Sequence, residues 1–165
     1  MSQTILVVGG TGMLGEPVAR RLRRDGYQVR IFTRSPQTAQ AKFGKDYTLI
    51  GGDVDDFPSL QSAIQGCQGV HINLEGGLDP DLEHRGAANV ARAAAAANVQ
   101  RITYLSGTSV TKENSWYAGT KAKYEAEEAI RASGIPYTIF QATFFMESLP
   151  KLVRGKRASI IGSQP

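Results

Sequence analysis

A doubly wound α/β fold, a parallel sheet held between two layers of helices, is the architecture this sequence predicts. Three observations carry the prediction. Short apolar runs alternate with helical patterns along the chain, the βαβ rhythm of a parallel sheet with right-handed crossovers. The first such run, Ile5-Leu6-Val7-Val8, leads directly into Gly9-Gly10-Thr11-Gly12-Met13-Leu14-Gly15, and a helical pattern follows. The chain has 165 residues, enough for one domain of this kind and short for two.

The elements follow in order. Residues 5–8 are all apolar, as a strand covered on both faces must be. Residues 16–24 read as a helix with Val18, Ala19 and Leu22 inward and arginines outward; Pro17 is tolerated in its first turn. Asp25-Gly26 ends that helix, and residues 28–33 form the second strand. A weaker helix starts at Ser35-Pro36 and runs to Ala41, before a third strand over 47–50 that ends in Gly51-Gly52-Asp53. Residues 59–64 are helical and 69–74 form the fourth strand. The long helix over 82–97 carries five consecutive alanines, Ala93 to Ala97, which favour helix and permit close packing on a sheet. A fifth strand spans 101–106, a helix spans 117–133 and is closed by Gly134, and a sixth strand spans 137–140. The dinucleotide-binding unit is expected over residues 1–150, with residues 151–165 opening a further extension.

Composition narrows the function classes. Hydrophobic content of 41% and charged content of 21% are those of an ordinary globular protein. The net charge of +4 is mild, and Arg20, Arg21, Arg23 and Arg24 fall on the solvent face of one helix, so no nucleic-acid partner is expected. Cys67 is the only cysteine, which excludes an internal disulfide and a cysteine-based metal site. His71 lies inside a strand and His84 in a helix turn, neither beside a second ligand, so no metal is expected. No apolar stretch is long enough to span a bilayer, and no signal peptide fits between Met1 and the first strand; the expected compartment is the cytoplasm.

The glycine run points to a dinucleotide. A diphosphate sits against the unpaired N–H groups and positive dipole end of a helix when the preceding turn offers bare backbone. Gly9 suits the tight turn, Gly12 the close approach of the diphosphate, and Gly15 the packing of helix on strand; Thr11, Met13 and Leu14 complete the loop. The second strand ends in Thr33-Arg34 with no carboxylate, where an NAD site would place one for the ribose hydroxyls. Thr33 can donate to a phosphate and Arg34 can pair with it and stack on adenine, so NADP(H) is expected over NAD(H). Asp53 is placed to accept from the adenine amino group while Val54 packs on the ring, and Asn73 is placed near the second ribose.

Tyr117 and Lys121 are spaced four apart. On one helical face, a lysine ammonium lowers a tyrosine's pKa and makes the phenol a usable proton donor near neutrality. The same lysine can hold a ribose. The pair follows a strand ending in Leu105-Ser106-Gly107-Thr108-Ser109, which supplies Ser106 and Thr108 as hydroxyls to polarise a substrate oxygen.

The chain resembles the short-chain dehydrogenase/reductase superfamily, specifically its atypical NmrA-like NAD(P)H-binding branch. The matching pieces are the glycine run 9–15, Thr33-Arg34, Gly52-Asp53-Val54, Gly86-Ala87-Ala88-Asn89-Val90 and the segment 99–106. Lys121 with Glu125, the segment 133–139 and Phe144-Phe145-Met146-Glu147 also match. The resemblance implies a Rossmann fold with NADP(H), in members that reduce small organic substrates or only sense or hold the nucleotide. Three departures stand out. Gly107 occupies the position where relatives keep a catalytic serine or threonine, and Gln141-Ala142-Thr143 replaces a frequent Arg-Pro-Gly. Relatives also continue into another strand and a small substrate domain, whereas this chain stops at Gly162-Ser163-Gln164-Pro165, as a natural short form or a piece of a longer protein. Two readings follow: an NADPH-dependent reductase of a small carbonyl or quinone-like substrate, and a non-catalytic NADP(H)-binding sensor or assembly module working through a protein partner.

Overall fold

A computed structural model describes residues 2–77, 79–148, 150, 153–155 and 157–158. Six parallel strands form one sheet in the order β3-β2-β1-β4-β5-β6. They are β1 (Thr4–Val8), β2 (Gln28–Thr33), β3 (Thr48–Gly51), β4 (Gly69–Ile72), β5 (Arg101–Gly107) and β6 (Tyr137–Ala142). Five helices connect them: α1 (Gly15–Arg24), α2 (Pro36–Phe43), α3 (Phe57–Ile64), α4 (Leu82–Ala96) and α5 (Ala118–Ala132). A short antiparallel hairpin, β7 (Val153–Arg154) with β8 (Arg157–Ala158), lies in the expected extension over 151–165; most of that stretch falls outside the described residues.

Strand pleating divides the apolar side chains between two cores. Val7, Val29 and Ile31 face α1 and α2, packing with Ala19, Ala39 and Phe43. Leu6, Val8, Val70, Ile72, Ile102 and Tyr104 face the other helical layer, meeting Leu60 and Ile64 of α3, the alanine face of α4, and Ala126 and Ile130 of α5. Alternating inward residues on a sheet covered on both sides give this arrangement. Small residues let α4 and α5 approach closely, with Ala87, Ala91 and Ala94 buried on one and Ala122 and Ala126 on the other.

The order of strands reverses between β1 and β4, and ligands of open α/β sheets bind in the crevice outside the carboxyl ends at such a switch point. Element boundaries differ from expectation at three places that matter. The fourth strand ends at Ile72, leaving Asn73 and Leu74 in the following loop. α3 begins at Phe57 behind Asp56 and carries Pro58 in its first turn, where its missing N–H is harmless. α5 begins at Ala118, so Tyr117 is its extended cap residue (φ −91°, ψ 125°) and stands outside the helix. No helix among the described residues is long and apolar enough to cross a membrane.

Candidate functional site

The loop after β1 is built from glycines that no other residue could replace at two of three positions. Gly9 has φ +80°, and a Cβ there would lie 1.9 Å from the Asn73 carbonyl oxygen. A Cβ on Gly15 would lie 2.2 Å from the Gly9 carbonyl oxygen and 2.9 Å from the Gly10 Cα, so this glycine lets the helix start close against the loop itself. Gly12 differs: a Cβ would meet only the Gly9 oxygen, at 3.3 Å, and the residue is exposed on the wall of a cavity. Its N–H donates to Gly9 O (3.1 Å) and its carbonyl accepts from Glu16 N–H (3.0 Å), which folds the loop into the first turn of α1.

The cavity has a volume of about 580 Å³ and runs along the carboxyl edge of the sheet. Thr11, Gly12, Met13 and Leu14 line its middle, beside Asn73 and Leu74. At the β2–β3 end stand Thr33, Arg34, Asp53 and Val54. Arg34 is exposed there and makes no ion pair among the described residues. Thr33 Oγ1 accepts the Ser35 N–H (3.2 Å), and one Asp53 oxygen accepts the Asp55 N–H (3.0 Å), so both side chains are held in place by their own turns. Arg85 clasps the two loops that border this end. Its guanidinium bonds both oxygens of Asp55 (2.8 and 2.9 Å) and one of Asp79 (2.9 Å), and these bonds hold both carboxyls below the usual range.

The other end, beyond β4 and β5, holds Glu83, Leu105, Ser106, Lys123 and Phe145. Lys123 pairs with Glu83, which is only 5% exposed and also accepts the Tyr104 hydroxyl at 2.7 Å. Burial, and after it the Glu83 carboxylate, push the Tyr104 phenol well above its ordinary value, so it serves as a fixed hydrogen-bond donor. Ser106 lies on the inner face of β5 and bonds Glu127 of α5 at 2.5 Å. Glu127 is 1% exposed and also receives Arg131 (2.7 Å) and the Gln141 amide (3.1 Å).

Of the residues expected to do chemistry, the structure brings Ser106 into the cavity wall and leaves Tyr117, Lys121 and Thr108 off it. Lys121 is exposed, its ammonium 3.7 Å from Glu125, which is also 3.3 Å from His84. Thr108 is exposed and its N–H donates to Ala142 O (3.0 Å). Tyr117 is 60% exposed, and its ring lies over Gly119, where a Cβ would come within 3.1 Å of it. A Cβ on Gly107 would make only ordinary contacts, 3.7 Å or more, so that departure is not enforced by space.

Lys123, Glu83 and Glu127 are the residues that sequence reasoning missed. The available signal was the buried stripe Ala122, Ala126 and Ile130 on α5: Lys123 and Glu127 adjoin it, four residues apart, whereas Lys121 points away. Among the described residues, no group of three His, Cys, Asp or Glu side chains converges on a metal position.

Exposed loop backbone at Gly12, an unpaired guanidinium at one end of an elongated cavity and a lysine at the other fit a dinucleotide, with the diphosphate at the centre. The six-stranded parallel sheet, its helical layers and the cavity at the switch point define a Rossmann-type αβα fold. The chain belongs to the NmrA-like family, which it matches over residues 1–161. It is 33% identical over 155 residues to a (4-alkanoyl-5-oxo-2,5-dihydrofuran-3-yl)methyl phosphate reductase of Streptomyces griseus subsp. griseus, covering 94% of this chain and 52% of the relative. It is 30% identical to the photosystem II assembly factor Ycf39 of Trieres chinensis, over 88% of this chain and 47% of that one. Among solved structures, the Citrobacter sp. triphenylmethane reductase complexed with NADP(H) aligns with a TM-score of 0.75 and 26% identity, covering 90% of this chain and 54% of that one. The chain thus spans about half the length of these relatives.

Proposed function

We propose that this chain is the nucleotide-binding part of an NADPH-dependent oxidoreductase acting on a small carbonyl or quinone-like substrate. The observation that carries the reading is the cavity itself, with Arg34 at the end where an NAD site would hold a carboxylate and Lys123 at the end beyond β4. Arg34 pairs with the phosphate on the adenosine ribose, and Thr33 donates to it without repulsion. Asp53 accepts from the adenine amino group and Val54 packs on the ring. Gly12, with the backbone of Thr11, Met13 and Leu14, cradles the diphosphate, in a loop whose turn and close helix start Gly9 and Gly15 permit. Lys123, oriented by Glu83, takes the ribose-holding role expected of Lys121, and Asn73 lines the same cavity. NADPH supplies a hydride when bound.

Tyr117 is the proton donor in this reading. Its ring rests over Gly119, one helical turn before Lys123 on α5. Tyr117→Phe is expected to lower kcat by about 10²–10⁴-fold with quinones or aldehydes while leaving NADPH affinity unchanged. Unchanged kcat overturns this role.

A second reading, a non-catalytic NADP(H)-binding module that acts on a protein partner, draws on a different observation. Trp116 is 83% exposed, Met146 68%, Phe144 53% and Phe140 52%, an unusual number of large apolar side chains left to solvent near β6 and the start of α5. The similarity to an assembly factor points the same way. NADPH binding with no turnover on quinones, aldehydes or azo dyes selects this reading.

A further inference from the structure

Three donors converge on the buried carboxylate of Glu127. Arg131 reaches Oε2 at 2.7 Å, the Gln141 amide reaches Oε1 at 3.1 Å, and the Ser106 hydroxyl reaches Oε1 at 2.5 Å. Arg131 and the amide nitrogen of Gln141 have no acceptor to offer, so both donate to Glu127, which forms an ion pair with the guanidinium. An ionised carboxylate only accepts, so the hydrogen between Ser106 and Glu127 belongs to the serine. Ser106 therefore has its single hydrogen engaged on the helix side, while its residue forms part of the cavity wall. What it offers the cavity is lone pairs alone. A hydroxyl arranged in this way cannot polarise a substrate oxygen, which requires a donor.

We infer that Ser106, fixed by Glu127, is a hydrogen-bond acceptor for the carboxamide N–H of a bound nicotinamide. The inference rests on the NADP(H) reading above. With the adenosine end at Arg34, the nicotinamide end lies toward β5, the strand beyond β4 in the sheet order. The nicotinamide ring carries one hydrogen-bond donor, its carboxamide NH₂. Lys123, which only donates, suits the hydroxyl oxygens of the neighbouring ribose and leaves the carboxamide to an acceptor. Glu127 is a positioning residue in this scheme: it touches no ligand and sets which way the Ser106 hydrogen points. Gln141, where relatives often carry arginine, serves the same carboxylate from β6.

Calorimetric titration of the purified chain with NADP⁺, its thionicotinamide analogue and its 3-acetylpyridine analogue tests this directly, without turnover. The acetyl group replaces the NH₂ by a methyl of similar size; the thioamide retains it. Wild type is expected to bind NADP⁺ and the thio analogue alike, and the acetyl analogue roughly three- to tenfold more weakly, the span of one hydrogen bond. Ser106→Ala brings that ratio to one by weakening NADP⁺ and the thio analogue together and leaving the acetyl analogue unchanged. Glu127→Gln also flattens it, because the amide donates toward Ser106 and frees the hydroxyl hydrogen. A purely structural role for Glu127 would weaken all three nucleotides together and leave the ratio standing, which overturns the inference. So does an unchanged ratio in Ser106→Ala. Failure of wild type to bind NADP⁺ at all overturns the nucleotide reading itself.

Discussion

Two lysines two residues apart on α5 have opposite surroundings, and the difference sets what is expected of each. The Lys123 side chain is 31% exposed, pairs with a buried glutamate and lines the cavity; that of Lys121 is 57% exposed and faces Glu125. Lys123→Met is expected to weaken NADPH binding by about tenfold or more, the loss of a charge-assisted hydrogen bond. Lys121→Met is expected to leave it within about twofold, since exposed pairs contribute little. Fluorescence titration of both variants checks this, and equal losses would refute it. The spacing of Tyr117 and Lys121 was legible in the sequence; which lysine faces the cleft was not, because it depends on where α5 starts. His71 makes a different kind of residue-scale statement. It is buried in β4, its Nδ1 meets Thr103 Oγ1 at 2.9 Å, its Nε2 has no partner among the described residues, and burial lowers its pKa from 6.5 to about 4. The folded chain then binds fewer protons here than the unfolded one. The stability that neutral His71 provides is full above pH 6.5 and is lost as pH falls toward 4, by about 3 kcal/mol in all. Urea midpoints at pH 7 and pH 4.5 should diverge in wild type and much less in His71→Leu; an equal divergence would exclude His71 as the cause.

At the scale of elements, the β1–α1 loop separates glycines that build the turn from the glycine that faces the cavity. Gly12→Val is expected to fold normally and abolish nucleotide binding, since its side chain meets one carbonyl oxygen at 3.3 Å and otherwise enters the cavity. Gly9→Ala is expected to unfold or rearrange the loop, given a contact of 1.9 Å and φ of +80°. Circular dichroism melting with NADPH titration distinguishes the two, and a Gly12→Val protein of wild-type affinity would remove the loop from the site. The β7–β8 hairpin was not readable in the sequence; the six strands of the parallel sheet and the five helices between them were, from apolar runs, caps and glycines. Their ends were less so: β4 stops two residues early because pairing with β1 ends at Val8, and α5 begins one residue late because Tyr117 adopts an extended conformation. The Ser106–Glu127 and Glu83–Tyr104 bonds join positions 21 apart in sequence, so even where a buried stripe flags the helix residue, as on α5, nothing local announces its partner on β5.

The whole molecule places its chemistry where the strand order turns. Helices α1 and α2 cover one face, α3 to α5 the other, and the cavity opens at the carboxyl ends between them. This arrangement explains why residues as distant as Arg34, Gly12 and Lys123 share one wall, and why the fold and the glycine loop were legible long before the far end of the site. Fold alone does not fix activity, and the exposed aromatic surface around Trp116 and Phe144 leaves room for a partner as well as a substrate. Selection of NADP(H) by Arg34 is read from parallel titration of the chain with NADPH and NADH, in wild type and in Arg34→Ala. NADPH is expected to bind tighter by about tenfold or more, with Arg34→Ala costing about 1.5–3 kcal/mol of NADPH binding and leaving NADH unchanged. Equal affinities for the two nucleotides in wild type would remove Arg34 as the selecting residue.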